Sequence, residues 1–287
     1  ILIIALLLEK NRVVISRITA SLILAVLLVG PGHYQDGGDE KLKITVIQPL
    51  TTNMERIINM TNEAESDLVI WPEAVTKFDE NVSELVPNKV VIGGFFRQEN
   101  TNVYTSAINL KTGHHYDKRN LVPFGEFQPF GSLLKSINNF FNIPNSSLSR
   151  GSFYQTKADW SALICWELVF NETFTRRVRG TKYIVHMSND KWYGSSMPAQ
   201  HLKHAKARAV ESNKWVVRAT LDGISQIISP RSNESSVILE RGEMGSITHE
   251  ITLNSQDTFY IKHGDTPLLI ISVLSVIFGI FIRKYEK

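Results

Sequence analysis

Ser161-Ala162-Leu163-Ile164-Cys165-Trp166-Glu167 is the stretch that decides the fold. Its short apolar run reads as a buried strand, and the polar turn after it sets a thiol at the strand's end, within reach of a substrate. Two segments upstream follow the same plan. Leu68-Val69-Ile70-Trp71-Pro72-Glu73 ends an apolar run on a carboxylate, with Pro72 closing the strand and fixing the chain direction. His115-Tyr116-Asp117-Lys118 runs into Leu121-Val122-Pro123-Phe124-Gly125-Glu126 and offers a cation and a second carboxylate. Glu, Lys and Cys thus stand in order at the ends or edges of three extended segments.

These residue types suit one chemistry. A thiol attacks an acyl group as thiolate, so a base must take its proton. Glu73 is the candidate base, since an apolar setting would raise its pKa and improve it in that role. The alternative is a solvated loop glutamate. Lys118 would place positive charge beside a tetrahedral oxyanion, with the amide of Trp166 as a second donor; the bland alternative is a surface lysine paired with Asp117. Glu126 is expected to orient Lys118 or assist the base. Glu167 would do the same beside Cys165, or serve only as a structural ion-pair partner. Cys165 is the sole cysteine of the 287 residues, which leaves a buried inert residue or a reactive thiol, with no internal disulfide.

Other candidates carry less. His201 and His204 have the spacing of helix-borne metal ligands, but a third ligand and the His-Glu-x-x-His pattern are missing nearby, so no metal and no cofactor are expected. His186, at a strand end, is the best partner for a Cys-His dyad, although the local motif of papain-type enzymes is absent around Cys165. A net charge of +3 gives no indication of nucleic-acid binding.

Between these motifs, strands are expected over 43–49, 68–71, 90–96, 104–110, 161–165, 182–186 and 215–220, with helices over 54–64 and 199–213. The segments 90–96 and 104–110 form an antiparallel pair, and 224–229 with 236–239 a late hairpin turning through 230–233. Alternating strands and helices with hairpins among them predict an α+β domain with helices layered on sheets. Residues 127–153 break this rhythm and read as a lid or binding loop; Phe127, Phe130, Phe140 and Phe141 would dip into a lipid interface, cap the site or pack internally.

Apolar residues concentrate at both ends. Residues 1–8 are wholly apolar, 13–30 nearly so, and Pro267 to Ile282 carries no charge. A spanning helix needs about 20 apolar residues. The chain is therefore expected to begin inside one membrane helix (1–8), to continue through a second (13–30) and a linker (31–42), to form a catalytic domain over 43–263, and to end in a helix over 266–282. Lys10, Arg12 and Arg17 precede the second apolar segment, and Arg283, Lys284 and Lys287 follow the last. Basic flanks stay cytoplasmic, which puts the central domain on the other side of the membrane.

The ordered set of motifs resembles the apolipoprotein N-acyltransferases, a membrane-bound branch of the nitrilase superfamily. The resemblance runs from Ile44-Thr45-Val46-Ile47-Gln48-Pro49 through Trp71-Pro72-Glu73, Tyr116-x-Lys118-x-x-Leu121-Val122-Pro123-Phe124-Gly125-Glu126 and Cys165-Trp166-Glu167. It continues in Ser188-Asn189-Asp190-x-Trp192-Tyr193-Gly194, Gln200-His201-Leu202, Ala207-Arg208-Ala209-x-Glu211 and Arg218-Ala219-Thr220. It implies a nitrilase-like α-β-β-α sandwich flanked by transmembrane helices, in the bacterial inner membrane with its catalytic domain outside the cytoplasm. It also implies Glu73 as base, Lys118 as oxyanion stabiliser, Cys165 as nucleophile and Glu126 as an accessory carboxylate. The implied reaction moves an acyl chain from a phospholipid, phosphatidylethanolamine, through a cysteine thioester to the N-terminal amine of a diacylglyceryl-modified apolipoprotein. The alternative is a membrane-tethered nitrilase-type amidase that hydrolyses a small amide or nitrile. Two positions depart from the family: Trp166 stands where Tyr is common, and Leu221-Asp222-Gly223 where Asn-Thr-Gly is frequent.

Overall fold

A computed structural model describes residues 39–128, 147–192, 194, 196–231 and 234–285. Two sheets form its centre. The first holds β1 (Lys41–Gln48), β2 (Leu68–Ile70), β4 (Val90–Glu99), β5 (Asn102–Asn109), β6 (His115–Asp117) and β11 (Gly245–Thr252) in the order β11-β1-β2-β4-β5-β6, with the short β3 (Thr76–Lys77) beside β4. The second holds β7 (Trp160–Ile164), β8 (Tyr183–Ser188), β9 (Val216–Thr220) and β10 (Gln226–Ile228) in the order β10-β9-β8-β7. β1, β2 and β4 run parallel, as do β7, β8 and β9, while β11 and β10 add antiparallel edges.

Strands buried on both faces read as continuous apolar runs, and the packing shows why. Ile44, Val46, Ile70 and Ile92 of the first sheet meet Ala162, Ile164, Val185, Met187, Val217 and Ala219 of the second in one core. The opposite face of the first sheet, with Ile47, Val69, Trp71 and Phe95, packs on Ile57 of helix α1 (Met54–Asn62). The opposite face of the second, with Leu163, Ile184 and Val216, packs under three helices. These are α2 (Asn171–Val178), α3 (Ser196–Ser212) and α4 (Phe259–His263), which contribute Phe174, Leu202, Ala205, Ala209 and Ile261. The result is the expected α-β-β-α layering.

α1 starts where Asn53 accepts the Arg56 N–H at 3.1 Å, satisfying one of the donors a helix start leaves open. Trp71, at the end of β2, is fully buried and donates its indole N–H to Thr61 of that helix at 2.8 Å. This bond fixes the strand end that carries Glu73.

The structure departs from the expectations in a few places. The first strand begins at Lys41, inside the expected linker. The late hairpin shrinks to β10, which pairs with β9, and a single bridge between Ser225 and Leu239. α2 and β11 were not expected: α2 is short and rich in polar residues, and on β11 only Ile247 and Ile251 are buried. Residues 1–38 and 129–146 lie outside the described residues, and with them the N-terminal apolar segments and Phe130, Phe140 and Phe141. The final helix, α5 (Thr266–Tyr285), has side chains described to Ile277, Ser275 excepted. Among the described residues no helix is long and apolar enough to cross a membrane.

Candidate active site

The carboxyl ends of β2, β6, β7 and β8 converge at one edge of the sandwich, where open α/β sheets place their ligands. Glu73 leaves β2 in a tight turn whose next residue, Ala74, has φ of 54°. Gly94 on β4 makes room for that turn. A Cβ there would lie 2.5 Å from the Pro72 carbonyl oxygen and 2.6 Å from the Glu73 Cα. The Gly94 N–H donates to that carbonyl at 3.1 Å, and the Val75 N–H donates to the Gly94 carbonyl at 2.9 Å.

Lys118 follows β6 and is wholly buried. Its ammonium donates to Glu73 Oε1 at 3.0 Å and to Glu126 Oε1 at 2.7 Å. The other oxygen of Glu73 accepts the Asn189 N–H at 3.0 Å, just past β8. The other oxygen of Glu126 accepts the Val122 N–H at 2.8 Å, which turns the Pro123-Phe124-Gly125 segment back onto Lys118. Asp117 is not the partner of Lys118. It points to the opposite side, held by Arg97 through two hydrogen bonds and by Ser106, as alternation along a strand requires.

Cys165 directly follows β7 and opens a 3-10 helix, Cys165–Val169, with φ of 53°. A left-handed φ at a non-glycine residue costs free energy and gathers at functional turns. Its thiol is buried and feels the charges of Glu73, Lys118, Asp190 and Glu126.

The electrostatics follow from burial. Glu73 is pushed up by loss of water, with Lys118 pulling it down and Glu126 pushing it up again. Burial alone would depress Lys118, but Glu73, Cys165 and Glu126 outweigh it and raise its pKa well above the ordinary range. Burial and the Glu73 charge push the Cys165 thiol up to about 12, against the pull of Lys118. Lys118 is thus the fixed cation between two carboxylates, and Cys165 rests as the neutral thiol.

Glu167 is held by hydrogen bonds from uncharged groups rather than by an ion pair. It is fully buried, and one oxygen accepts from the Tyr116 hydroxyl and from the N–H groups of Arg119 and Asn120 at 2.8–3.1 Å. The other accepts the Ile164 N–H at 3.0 Å. It ties the loop bearing Lys118 to the strand bearing Cys165, and loss of water raises its pKa first of all. Trp166 is half-buried, with its ring 5.6 Å from that of His201.

His186 does not reach the thiol as a dyad partner would. Its Nε2 lies 3.0 Å from the Cys165 carbonyl oxygen, and its Nδ1 lies 2.7 Å from an Arg218 nitrogen. His201 bonds Asp190 at 2.9 Å, and no group of three metal-ligating side chains occurs among the described residues. Asp190 and Arg218 are the residues that the sequence reading passed over. Both are fully buried and paired at 2.7 Å. Their motifs, Ser188-Asn189-Asp190 and Arg218-Ala219-Thr220, were visible, but nothing in the sequence marked them as neighbours.

The profile of the carbon-nitrogen hydrolase family matches residues 87–258, well over half of the chain. The chain belongs to that family. Among curated proteins it is similar to the apolipoprotein N-acyltransferase of Shewanella oneidensis, with 32% identity over 259 residues, covering 78% of this chain and 49% of the relative. The corresponding protein of Vibrio parahaemolyticus is 30% identical over 271 residues, covering 84% of this chain and 53% of the relative. The chain therefore spans about half the length of the curated relatives it matches. Among solved structures it resembles a CN-hydrolase superfamily protein of Xanthomonas campestris that carries an arsenic adduct in its active site. That likeness, with a TM-score of 0.54 at 15% identity over 81% of this chain and 96% of the other, bears on the fold alone.

Proposed function

We propose that this chain is the catalytic part of an apolipoprotein N-acyltransferase, with Glu73, Lys118 and Cys165 as its working residues. The observation that carries the reading is the buried Glu73–Lys118–Glu126 chain at the carboxyl ends of the strands, whose charges act on the buried thiol of Cys165. Similarity to relatives bearing that name supports the choice of substrates.

A thiol with a pKa near 12 supplies little thiolate at neutral pH. Proton transfer to Glu73 therefore accompanies carbon–sulfur bond formation, and the raised pKa of Glu73 narrows the gap between the two groups. Once Glu73 is protonated, its repulsion of the sulfur vanishes while the attraction of Lys118 stays. As its proton passes to Glu73, the sulfur adds to an ester carbonyl of a phospholipid, phosphatidylethanolamine in this reading. The oxyanion is held by the Lys118 ammonium and the Trp166 N–H. Collapse breaks the ester C–O bond, Glu73 returns its proton to the leaving glycerol oxygen, and a lysophospholipid departs from the thioester. The α-amine of a diacylglyceryl-cysteine then attacks the thioester and yields its proton to Glu73. An amide forms, and the thiol is restored.

Both substrates are lipids, so the site has to lie against a bilayer. α5 supports this. Leu268, Leu269, Ile270, Val273, Leu274 and Ile277 are all more than half exposed, spread around the helix rather than along one stripe, and Pro267 to Ile282 is uncharged. A helix apolar on most of its circumference belongs in an apolar medium. Its root is close to the nucleophile along the chain: Asn171, just past the 3-10 helix that Cys165 opens, donates to Asp265 at 2.8 Å. We therefore read α5 as a bilayer anchor of an inner-membrane enzyme whose domain lies outside the cytoplasm.

The test is product analysis with the full-length protein in detergent, given phosphatidylethanolamine and a diacylated lipopeptide. N-acylated lipopeptide is the expected product. Free fatty acid with unchanged lipopeptide would favour hydrolysis instead.

A further inference from the structure

Beneath Cys165 lies a cluster of polar side chains that the reaction above does not use. His186 on β8 and Arg218 on β9 are neighbours in register and are both wholly buried. Arg218 donates to His186 Nδ1 at 2.7 Å, to Asp190 Oδ2 at 2.7 Å and to the Ile224 carbonyl at 2.8 Å. Asp190 also accepts from Ser188 and pairs with His201. Gly223 seals the cluster, since a Cβ there would lie 2.6 Å from Asp190 Oδ2.

The donors settle the tautomer. A guanidinium has only N–H donors, so the Nδ1 of His186 that faces it must be the bare acceptor. The ring proton is then on Nε2, 3.0 Å from the carbonyl oxygen of Cys165, where it donates. A second ring proton would set another cation against Arg218 in a buried site where Asp190 is the carboxylate that acts on the ring. Burial and Arg218 accordingly hold His186 neutral, with its pKa well below the ordinary value.

The bond to the Cys165 carbonyl falls on the residue whose φ is 53°. The turn that follows β8 also supplies the Asn189 N–H that holds Glu73. We propose that His186 is a positioning residue: Arg218 fixes its tautomer, and its Nε2–H holds the Cys165 carbonyl so that the strand end keeps its left-handed turn. One buried cluster then places the nucleophile through His186 and the base through Asn189. The inference rests on the reading of Cys165 as nucleophile and Glu73 as base.

The test uses the full-length protein in detergent and two substitutions. Asn puts its amide nitrogen at the level of the ring Nδ1, and Gln puts it at the level of Nε2. His186→Asn should slow acyl-enzyme formation by about 100-fold, the scale of a 1 Å misplacement, while KM for the phospholipid changes little. His186→Gln should recover most of that loss. Alkylation of Cys165 by iodoacetamide should follow the same order, and this readout does not depend on the donor, so failure of the substrate assignment would not disturb it. A His186→Asn protein that is folded and acylates at the wild-type rate would overturn the proposal, as would a Gln variant no better than Asn. If neither variant folds, the ¹⁵N shifts of His186 in the wild-type protein at neutral pH decide. Protonated Nε2 with bare Nδ1 is expected; the opposite tautomer or a charged ring would refute it.

Discussion

Gly94→Ala tests whether the turn that carries Glu73 is held as tightly as the geometry requires. The new Cβ would sit 2.5 Å from the Pro72 oxygen, where ordinary contact begins at 3.4 Å, so the turn must retreat by about 0.9 Å. Glu73 now stands 3.0 Å from both Lys118 and the Asn189 N–H, and the same retreat would carry one or both contacts beyond hydrogen-bond reach. Overpacking of this kind costs roughly 1–3 kcal/mol of stability. A 1 Å error in placing a reacting group costs about 100-fold in rate. The assay is a urea titration together with the single-turnover rate of acyl-enzyme formation. A variant that keeps both wild-type stability and wild-type rate would refute the claim that β4 positions the base.

Further substitutions separate the roles of the charged residues. Glu73 must be ionised to accept a proton, and its raised pKa puts the acid limb of the kcat/KM profile above the ordinary carboxylate value of about 4.3. Glu126→Gln removes a charge that pushes Glu73 up, so the limb should move to lower pH; an unmoved or rising limb would deny Glu73 the role of base. Glu167→Gln leaves buried N–H and O–H donors competing for a poorer acceptor, and should destabilise the fold by about 3 kcal/mol in a urea titration. Lys118→Met leaves Glu73 and Glu126 facing each other without their cation, and should lower the acylation rate by at least about 100-fold in the single-turnover assay.

The parallel strands and the residues at their ends were legible in the sequence because burial on both faces forces continuous apolar runs. Ser161 to Ile164 and Leu68 to Trp71 announce themselves in this way, and the Glu-Lys-Cys order followed from where those runs stop. β11 was not legible. It lies at the edge of its sheet, with polar residues at most positions, so its place depends on β1 rather than on its own pattern. The role of Glu167 stayed open between two readings because three of its four hydrogen-bond partners, on β6 and the loop after it, are 47–51 residues away. The cluster of His186, Asp190 and Arg218 was hidden for the same reason. Each residue looks ordinary in its own segment, and only the parallel register of β8 with β9 brings them together.

The most direct test of the account is intact-mass spectrometry of the full-length protein after exposure to phosphatidylethanolamine, with Cys165→Ser alongside. One acyl mass is expected on the wild-type protein, absent from the variant, and discharged when a diacylated lipopeptide is added. An adduct of equal size on the Cys165→Ser protein, or none on the wild type while lipopeptide is still acylated, would contradict it.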